Sequence, residues 1–170
     1  MFVVILVACI VFTAGMHVAL GVPYVPTPRF IAEEMIRVAQ VRDGETVMDL
    51  GAGDGRVLIA AKKMYPGIRA IGCEFVPAIW LFGLLYIWWS RTDVRLRLGS
   101  AQAQDIHDAD VVLLYLMPAL IASLSPKFDR ELKPGARVVS RAFRIPGRQE
   151  TSRHVLQVGK KNVTLYLYRW

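Results

Sequence analysis

Three glycines at alternate positions follow a short apolar run that contains one acidic residue. The run is Thr46–Leu50, the acid is Asp49, and the glycines are Gly51, Gly53 and Gly55. Glycine adopts positive φ and has no Cβ, so this backbone can turn tightly and let a ligand lie against it. Ligands of open α/β sheets bind where a strand gives way to a helix. The pattern therefore predicts a ligand-binding turn at the carboxyl end of a strand.

Two common nucleotide-binding motifs do not fit these residues. The dinucleotide fingerprint needs a glycine where this chain has Arg56, and the P-loop ending Gly-Lys-Ser/Thr is missing. The next predicted strand, Ile68–Cys73, is followed by Glu74, in the place of a carboxylate that accepts hydrogen bonds from ribose hydroxyls. Together these residues predict a nucleoside-containing ligand. A ligand-free turn and a solvated carboxylate are the alternatives.

Strands and helices alternate on both sides of this turn. Thr27 is predicted to cap a helix in which Pro28 is the first residue and which runs to about Gln40. A strand at Thr46–Leu50 follows. The other predicted elements are helix Arg56–Met64, strand Ile68–Cys73, helix Ala78–Trp89, strand Val94–Leu98, strand Val111–Leu116, helix Ala119–Leu132, strand Ala136–Phe143 and a hairpin of Arg153–Val158 with Asn162–Trp170. This order predicts an α/β fold.

The N-terminus is the most apolar part of a chain that is 54% hydrophobic. Residues 2–20 contain no charged side chain apart from His17, when it is protonated. About 19 residues at 1.5 Å each span about 30 Å, the hydrocarbon thickness of a bilayer. The sequence predicts a transmembrane anchor over residues 1–22 and one domain over residues 23–170. A signal peptide, which should start with basic residues, and a buried core helix are the alternatives.

The first basic residues follow this apolar segment, at Arg29, Arg37 and Arg42. The positive-inside rule then places the domain in the cytoplasm, below a single membrane pass. The formal net charge of +7 favours anionic lipid surfaces or nucleic acid. With an anchor predicted, lipid is the simpler explanation. Nucleic acid is not expected, because aromatic residues do not interleave with the basic ones.

A second apolar run, Ala78–Trp89, is too short to cross a bilayer comfortably, and we call it the Trp-rich helix. Trp80, Tyr86, Trp88 and Trp89 are residue types that lie at the level of lipid headgroups. We therefore expect this helix to lie against the membrane surface. The alternative is a helix that is fully buried or that contacts another protein chain.

The cysteines give no further site. Cys9 lies in the predicted anchor and Cys73 in a predicted strand, which does not make a disulfide framework. The sequence also lacks the cysteine and histidine spacing of a metal site, so no metal is expected.

The motifs resemble those of the seven-strand class of S-adenosylmethionine-dependent methyltransferases. More narrowly, the chain is similar to the membrane-anchored lysine methyltransferases of the ATP synthase c-subunit and the adenine nucleotide translocase, with their prokaryotic relatives. The resemblance covers nearly the whole chain and implies a Rossmann-like seven-strand sheet with helices on both faces. It rests on the apolar N-terminus and on Tyr24–Pro28, Asp49–Arg56, Gly72–Glu74, Leu114–Pro118 and Gly135–Val139.

The resemblance implies S-adenosyl-L-methionine as the cofactor and assigns residues to it. Tyr24 and Thr27 are implied to close over its methionine end, where a threonine cap and free helix N–H groups suit a carboxylate. A plain helix cap is the alternative for Thr27. The remaining implied cofactor-binding residues are Asp49, Gly51, Gly53, Asp54, Gly55, Glu74 and Ser100.

Two positions depart from the wider pattern. Ser100 stands where many relatives have an aspartate that contacts adenine, so adenine recognition there relies on weaker or backbone contacts. The segment Leu114–Pro118 lacks the acidic or Asn-Pro-Pro-Tyr form typical of amide and nucleobase methyltransferases. Tyr115, within that segment, is the candidate catalytic residue and is expected to line the acceptor channel.

These inferences together predict a membrane-anchored methyltransferase that acts on a lysine of a protein, with a membrane protein as the expected substrate. Two alternatives remain at this point. One is a methyltransferase for a membrane lipid or a small hydrophobic molecule, which the Trp-rich helix would serve equally well. The other is a cofactor-binding membrane module without catalysis.

Overall fold

A computed structural model describes residues 25–159 and 161–170. The predicted anchor over residues 1–22, and Tyr24 with it, lie outside the described residues. Within the described ranges, no helix combines the length and the apolar character that crossing a bilayer requires.

Helices and strands alternate as the sequence predicts. The helices of the described chain are α1 (Arg29–Val38), α2 (Arg56–Met64), α3 (Pro77–Ser90) and α4 (Pro118–Glu131). The strands are β1 (Thr46–Leu50), β2 (Arg69–Glu74), β3 (Val94–Leu98), β4 (Val111–Leu114), β5 (Arg137–Arg141), β6 (Ser152–Val158) and β7 (Lys161–Arg169). Helix α3 is the Trp-rich helix.

The strands form one seven-stranded sheet in the order β3-β2-β1-β4-β5-β7-β6. Strands β1 to β5 are parallel, and β7 runs antiparallel to both β5 and β6. The chain fills one side of β1 with β2 and β3 and then crosses to the other side with β4. The carboxyl ends of β1 and β4 thus meet at the switch point where α/β folds bind ligands.

Each face of the sheet has its own apolar core, because successive residues of a strand point to opposite faces. Helices α1, α2 and α3 cover one face, where Val47 and Leu113 are buried beneath them. Helix α4 covers the other face, where Met48 and Val112 contribute to the core. The prediction of a seven-strand sheet with helices on both faces is confirmed.

Several element boundaries differ from the predictions for local reasons. Helix α1 starts at Arg29 with Pro28 in the N-cap position, so the prediction that Thr27 caps it is wrong. The helix ends before Gln40, whose φ of 53° is incompatible with a right-handed helix. Strand β5 ends at Arg141 because Ala142 has a φ of 69°. Strand β4 ends at Leu114, two residues before the predicted end.

The Trp-rich helix has one side on the domain and one side in solvent. On the inner side Gly83 is buried, and the half-buried Trp80 donates from Nε1 to the carbonyl oxygen of Leu96 at 3.1 Å. On the outer side Trp88 and Trp89 are 80% and 82% exposed. The alternative that this helix is fully buried is therefore wrong for the described chain.

Candidate cofactor site

The glycine turn between β1 and α2 is held open by its backbone conformation. Gly51, Gly53 and Gly55 have φ values of 81°, 57° and 76°, which side chains rarely allow. The amides of Gly51 and Ala52 donate to the carbonyl oxygen of Cys73 at 3.0 and 2.9 Å, which ties the turn to β2. A Cβ at Gly51 would lie 2.5 Å from Leu116, so the turn also packs closely.

Glu74, at the end of β2, faces this turn as the sequence predicts. One carboxylate oxygen accepts from the amide of Gly53 at 3.0 Å, and the other accepts from the amide of Val76 at 2.8 Å. These contacts fix the carboxylate in a buried position. Because a carboxylate offers about four acceptor sites, Glu74 can still accept hydrogen bonds from two ligand hydroxyls.

Three buried carboxylates, those of Asp49, Asp54 and Glu74, converge beneath the turn. Burial, with Glu74 and Asp54 nearby, raises the pKa of Asp49 from its usual 3.8 to about 7. Asp54 forms an ion pair with Arg56, whose Nη2 lies 2.6 Å from the carboxylate. The concentration of acidic groups favours a ligand that carries positive charge.

A cavity of about 410 Å³ opens over these groups, within the size range of small-ligand sites. Its walls include every predicted site residue except Gly55, the residue before α2, and Tyr24, which lies outside the described residues. Much of its wall is apolar. The predicted site residues that line it are Thr27, Asp49, Gly51, Gly53, Asp54, Glu74, Ser100 and Tyr115.

Arg141 contacts two residues of the cavity wall, Thr27 and Tyr115, without itself being among the described residues that line the cavity, and the sequence did not single it out. Its guanidinium donates from Nη1 to the Thr27 hydroxyl at 2.9 Å and lies 3.9 Å above the ring centre of Tyr115. Within the described chain its buried Nε has no hydrogen-bond partner. Burial lowers the pKa of this guanidinium from its usual value. The available signal was a basic residue at the carboxyl end of a parallel strand, where ligands bind.

Ser100 follows β3 and reaches the same cavity from its other side. Its hydroxyl accepts from the amide of Ala103 at 3.3 Å, within a turn. The residue assignments for cofactor binding remain predictions. The geometry fits a ligand with hydroxyls for Glu74, positive charge for the carboxylates and an anionic end near Thr27 and Arg141.

Comparisons with known proteins identify the family. A family model described as the ANTKMT methyltransferase domain matches residues 49–152. A protein-lysine N-methyltransferase of Saccharolobus islandicus is 37% identical over 86% of this chain and 92% of that protein. The mouse adenine nucleotide translocase lysine N-methyltransferase is 36% identical over 75% of this chain. The human lysine N-methyltransferase of the ATP synthase c-subunit is 32% identical over 85% of this chain. The matches span 56% and 60% of the mouse and human proteins.

Solved structures point to the same chemistry. An RNA methyltransferase from Salinibacter ruber, in complex with S-adenosyl-L-homocysteine, superposes with a TM-score of 0.78 and 30% identity. The match covers 85% of this chain and 93% of that one. The cofactor is therefore S-adenosyl-L-methionine. The chain belongs to the ANTKMT methyltransferase family and is an S-adenosylmethionine-dependent methyltransferase.

Proposed function

We propose that this protein methylates a lysine side chain of a membrane protein, from a domain held at the cytoplasmic side of the membrane by residues 1–22. The observation that carries the proposal is the contrast within the cavity. Its floor is acidic, with Asp49 and Glu74, whereas its exposed rim is apolar, with Val25, Phe75 and Met117. An acidic floor suits the cationic cofactor, and an apolar rim suits an acceptor that arrives from an apolar surface.

The residues around the floor would bind and orient the cofactor. Glu74 would hold the ribose hydroxyls, while Gly51 and Gly53 let the backbone approach the ligand closely. Thr27, with Arg141 behind it, would hold the carboxylate of the methionine end. When bound, the cofactor supplies an electrophilic methyl group on a positively charged sulfur. The contribution of these residues is positioning, which can supply up to about 7–11 kcal/mol in well-oriented reactions.

The rim would prepare the lysine amine. An amine attacks a methyl group only when it is neutral, and an apolar surrounding lowers the pKa of lysine. Val25, Phe75 and Met117 provide such a surrounding at the cavity mouth. Tyr115, whose ring is held beneath Arg141, is proposed to line the path of the amine. A dedicated general base is not required by this scheme.

Two other acceptors compete with protein lysine. A membrane lipid or small hydrophobic molecule would suit the same apolar rim. RNA is the acceptor class of the Salinibacter ruber relative. The charge of the cavity argues against RNA as the acceptor. Among the described residues that line the cavity, Arg56 alone is basic, and its guanidinium is paired with Asp54. The non-catalytic module is not retained, because the family is one of methyltransferases.

The test is to incubate the full-length protein with cofactor labelled in its methyl group and with native membranes. Protein, lipid and RNA are then separated, and the labelled protein is hydrolysed to amino acids. We expect label in a membrane-protein band, recovered as methyllysine. Label in the organic phase or in RNA would overturn the lysine proposal in favour of that acceptor.

Variants tie the label to the site. Gly53→Arg fills the turn and Glu74→Ala removes the ribose acceptor, so both should lose label and cofactor binding together. Asp93→Ala is the matched control, because Asp93 is an acidic residue that does not line the cavity. Normal cofactor binding by both site variants would contradict the site assignment.

A further inference from the structure

The Trp-rich helix carries a continuous apolar stripe that nothing in the described chain covers. We define the outer apolar face as Leu81, Phe82, Leu85, Trp88 and Trp89, whose side chains are between 55% and 82% exposed. Their spacing of three and four residues places all five on one side of the helix. Exposed apolar residues scattered singly are ordinary, whereas a contiguous patch of large side chains marks an interaction site.

The inner side of the same helix explains why the outer face is not a packing defect. Gly83 and Ile87 are buried against the domain, and a Cβ at Gly83 would lie 3.2 Å from the backbone of Asp54. The helix is thus seated on the cofactor turn. Its outer face therefore has a fixed direction relative to the cavity.

The chain enters the described structure beside this helix. Val25, the first described residue, lines the cavity together with Phe75 and Ile79, which lie just before and within the first turn of the helix. Immediately upstream, residues 2–20 contain no charged side chain apart from His17 when it is protonated. Val25, where the described chain begins, therefore lies near the first turn of the helix, and the apolar segment precedes it in the sequence.

Basic groups flank the helix. Arg91 follows its last residue and is exposed. In its second half, Tyr86 borders a cleft that the exposed Arg29 and Lys63 also line. Glu33 lines this cleft too and pairs with Arg29 at 2.9 Å, so Lys63 and Arg91 carry the basic charge of the flank. At a membrane interface, tryptophan and tyrosine lie at the headgroup level, with apolar residues on one side and basic residues near anionic headgroups. The helix and its flanks show this arrangement.

We propose that the outer apolar face lies in the headgroup region of an anionic lipid bilayer, so that the cavity mouth opens close to the membrane surface. The helix would lie along the interface with Leu81, Phe82 and Leu85 towards the acyl chains. Val25 and Phe75, at the rim, would then stand beside the bilayer. A lysine just outside the hydrocarbon could reach the cavity. This last step rests on the proposed function, whereas the lipid contact does not.

The test uses tryptophan fluorescence of the full-length protein reconstituted in vesicles of phosphatidylcholine and phosphatidylglycerol. Lipids brominated near the headgroup end of the acyl chain quench a tryptophan only at short range. We expect the wild-type emission to fall in brominated vesicles relative to ordinary ones. The double variant Trp88→Phe with Trp89→Phe should lose most of that quenching. The matched control Trp170→Phe, at the end of the chain, should keep it.

Each outcome decides the proposal. Quenching that depends on Trp88 and Trp89 supports it. Absence of quenching in the wild type overturns it. Quenching that the double variant retains also overturns it. Because no methyl transfer is measured, failure of the lysine proposal would leave this result unchanged, and the reverse also holds.

Discussion

The glycine turn and the Trp-rich helix touch at Gly83, but their side chains differ in burial and in hydrogen bonding. Asp54 in the turn and Glu74, which faces it from the end of β2, have buried carboxylates that each accept hydrogen bonds. On the helix, Trp88 and Trp89 project from the described chain and are largely exposed. The difference teaches that apolar character alone does not mark a core. Half of this apolar helix stabilises the domain, and the other half is available to a partner.

The largest effect should be a difference in thermal stability between two leucine-to-alanine variants, one in the buried core beside the turn and one on the exposed face of the helix. Leu58→Ala removes a fully buried side chain of α2, whereas Leu85→Ala shortens one that is 60% exposed. Removing a buried leucine costs about 2–5 kcal/mol, and a surface change stays within about 0.5 kcal/mol. In thermal unfolding of the full-length protein in one mild detergent, Leu58→Ala should lower Tm by roughly 4–20 °C and Leu85→Ala by less than about 2 °C.

Equal losses in the two variants would mean that Leu85 packs against protein. The outer apolar face would then be covered within the molecule or by another copy. Circular dichroism of both variants at low temperature serves as the control for folding.

The turn was predictable from the sequence. Which side of the Trp-rich helix packs on the domain and which is exposed was not. Asp49, the glycines and Glu74 act through their own backbone and through neighbouring strands, so their order in the chain carries the site. The Trp-rich helix is apolar on all sides, and its sequence contains nothing that tells an inner side from an outer one. That distinction depends on Gly83, which lets one side approach Asp54.

Contacts between residues far apart in the chain also limited what the sequence could predict. Thr27 before Pro28 matches a helix cap, but its hydroxyl contacts Arg141, 114 residues away. No local pattern contains that pair. Strand β5 likewise stops at Arg141 because Ala142 takes a positive φ, which no residue preference of alanine predicts.

An intermediate effect should appear in the pH dependence of cofactor binding. This dependence comes from the acidic groups at the turn, because the Trp-rich helix contains no charged residue. With the pKa of Asp49 raised to about 7, its ionised fraction rises about tenfold between pH 6 and pH 8. Because S-adenosyl-L-methionine carries a positive sulfur, its affinity should rise by up to about tenfold over that range. S-adenosyl-L-homocysteine, which lacks that charge, should respond less. Titration calorimetry at several pH values measures both.

Asp49→Asn should flatten this profile, and a profile that is unchanged in the variant would contradict the role of Asp49. The same raised pKa affects the ligand-free protein. The folded Asp49 holds its proton up to about pH 7, whereas the unfolded chain loses it near pH 4. The stability from this group is therefore present at low pH and lost as pH rises through about 7.

The smallest effect should be a change in cofactor affinity caused by a substitution in the Trp-rich helix. It tests whether the packing of this helix influences the glycine turn. In Gly83→Ala the new methyl group would lie 2.6 Å from a side-chain carbon of Leu96 and 3.2 Å from the backbone of Asp54. The Leu96 side chain can rotate, but the Asp54 backbone must move by a few tenths of an ångström. Replacing glycine by alanine in a helix gains about 1 kcal/mol, which offsets the crowding. Net stability should therefore change little.

Cofactor affinity should nevertheless fall a few-fold, because the displaced backbone belongs to the turn that binds the cofactor. Titration calorimetry with S-adenosyl-L-homocysteine measures this, beside thermal unfolding of the same samples. Leu81→Ala is the matched control, since Leu81 lies on the outer apolar face and should leave affinity unchanged. Wild-type affinity in Gly83→Ala would show that the turn does not respond to the seating of the helix. A drop in affinity at constant Tm would show that the helix, through its seating on the turn, also sets the shape of the cofactor site.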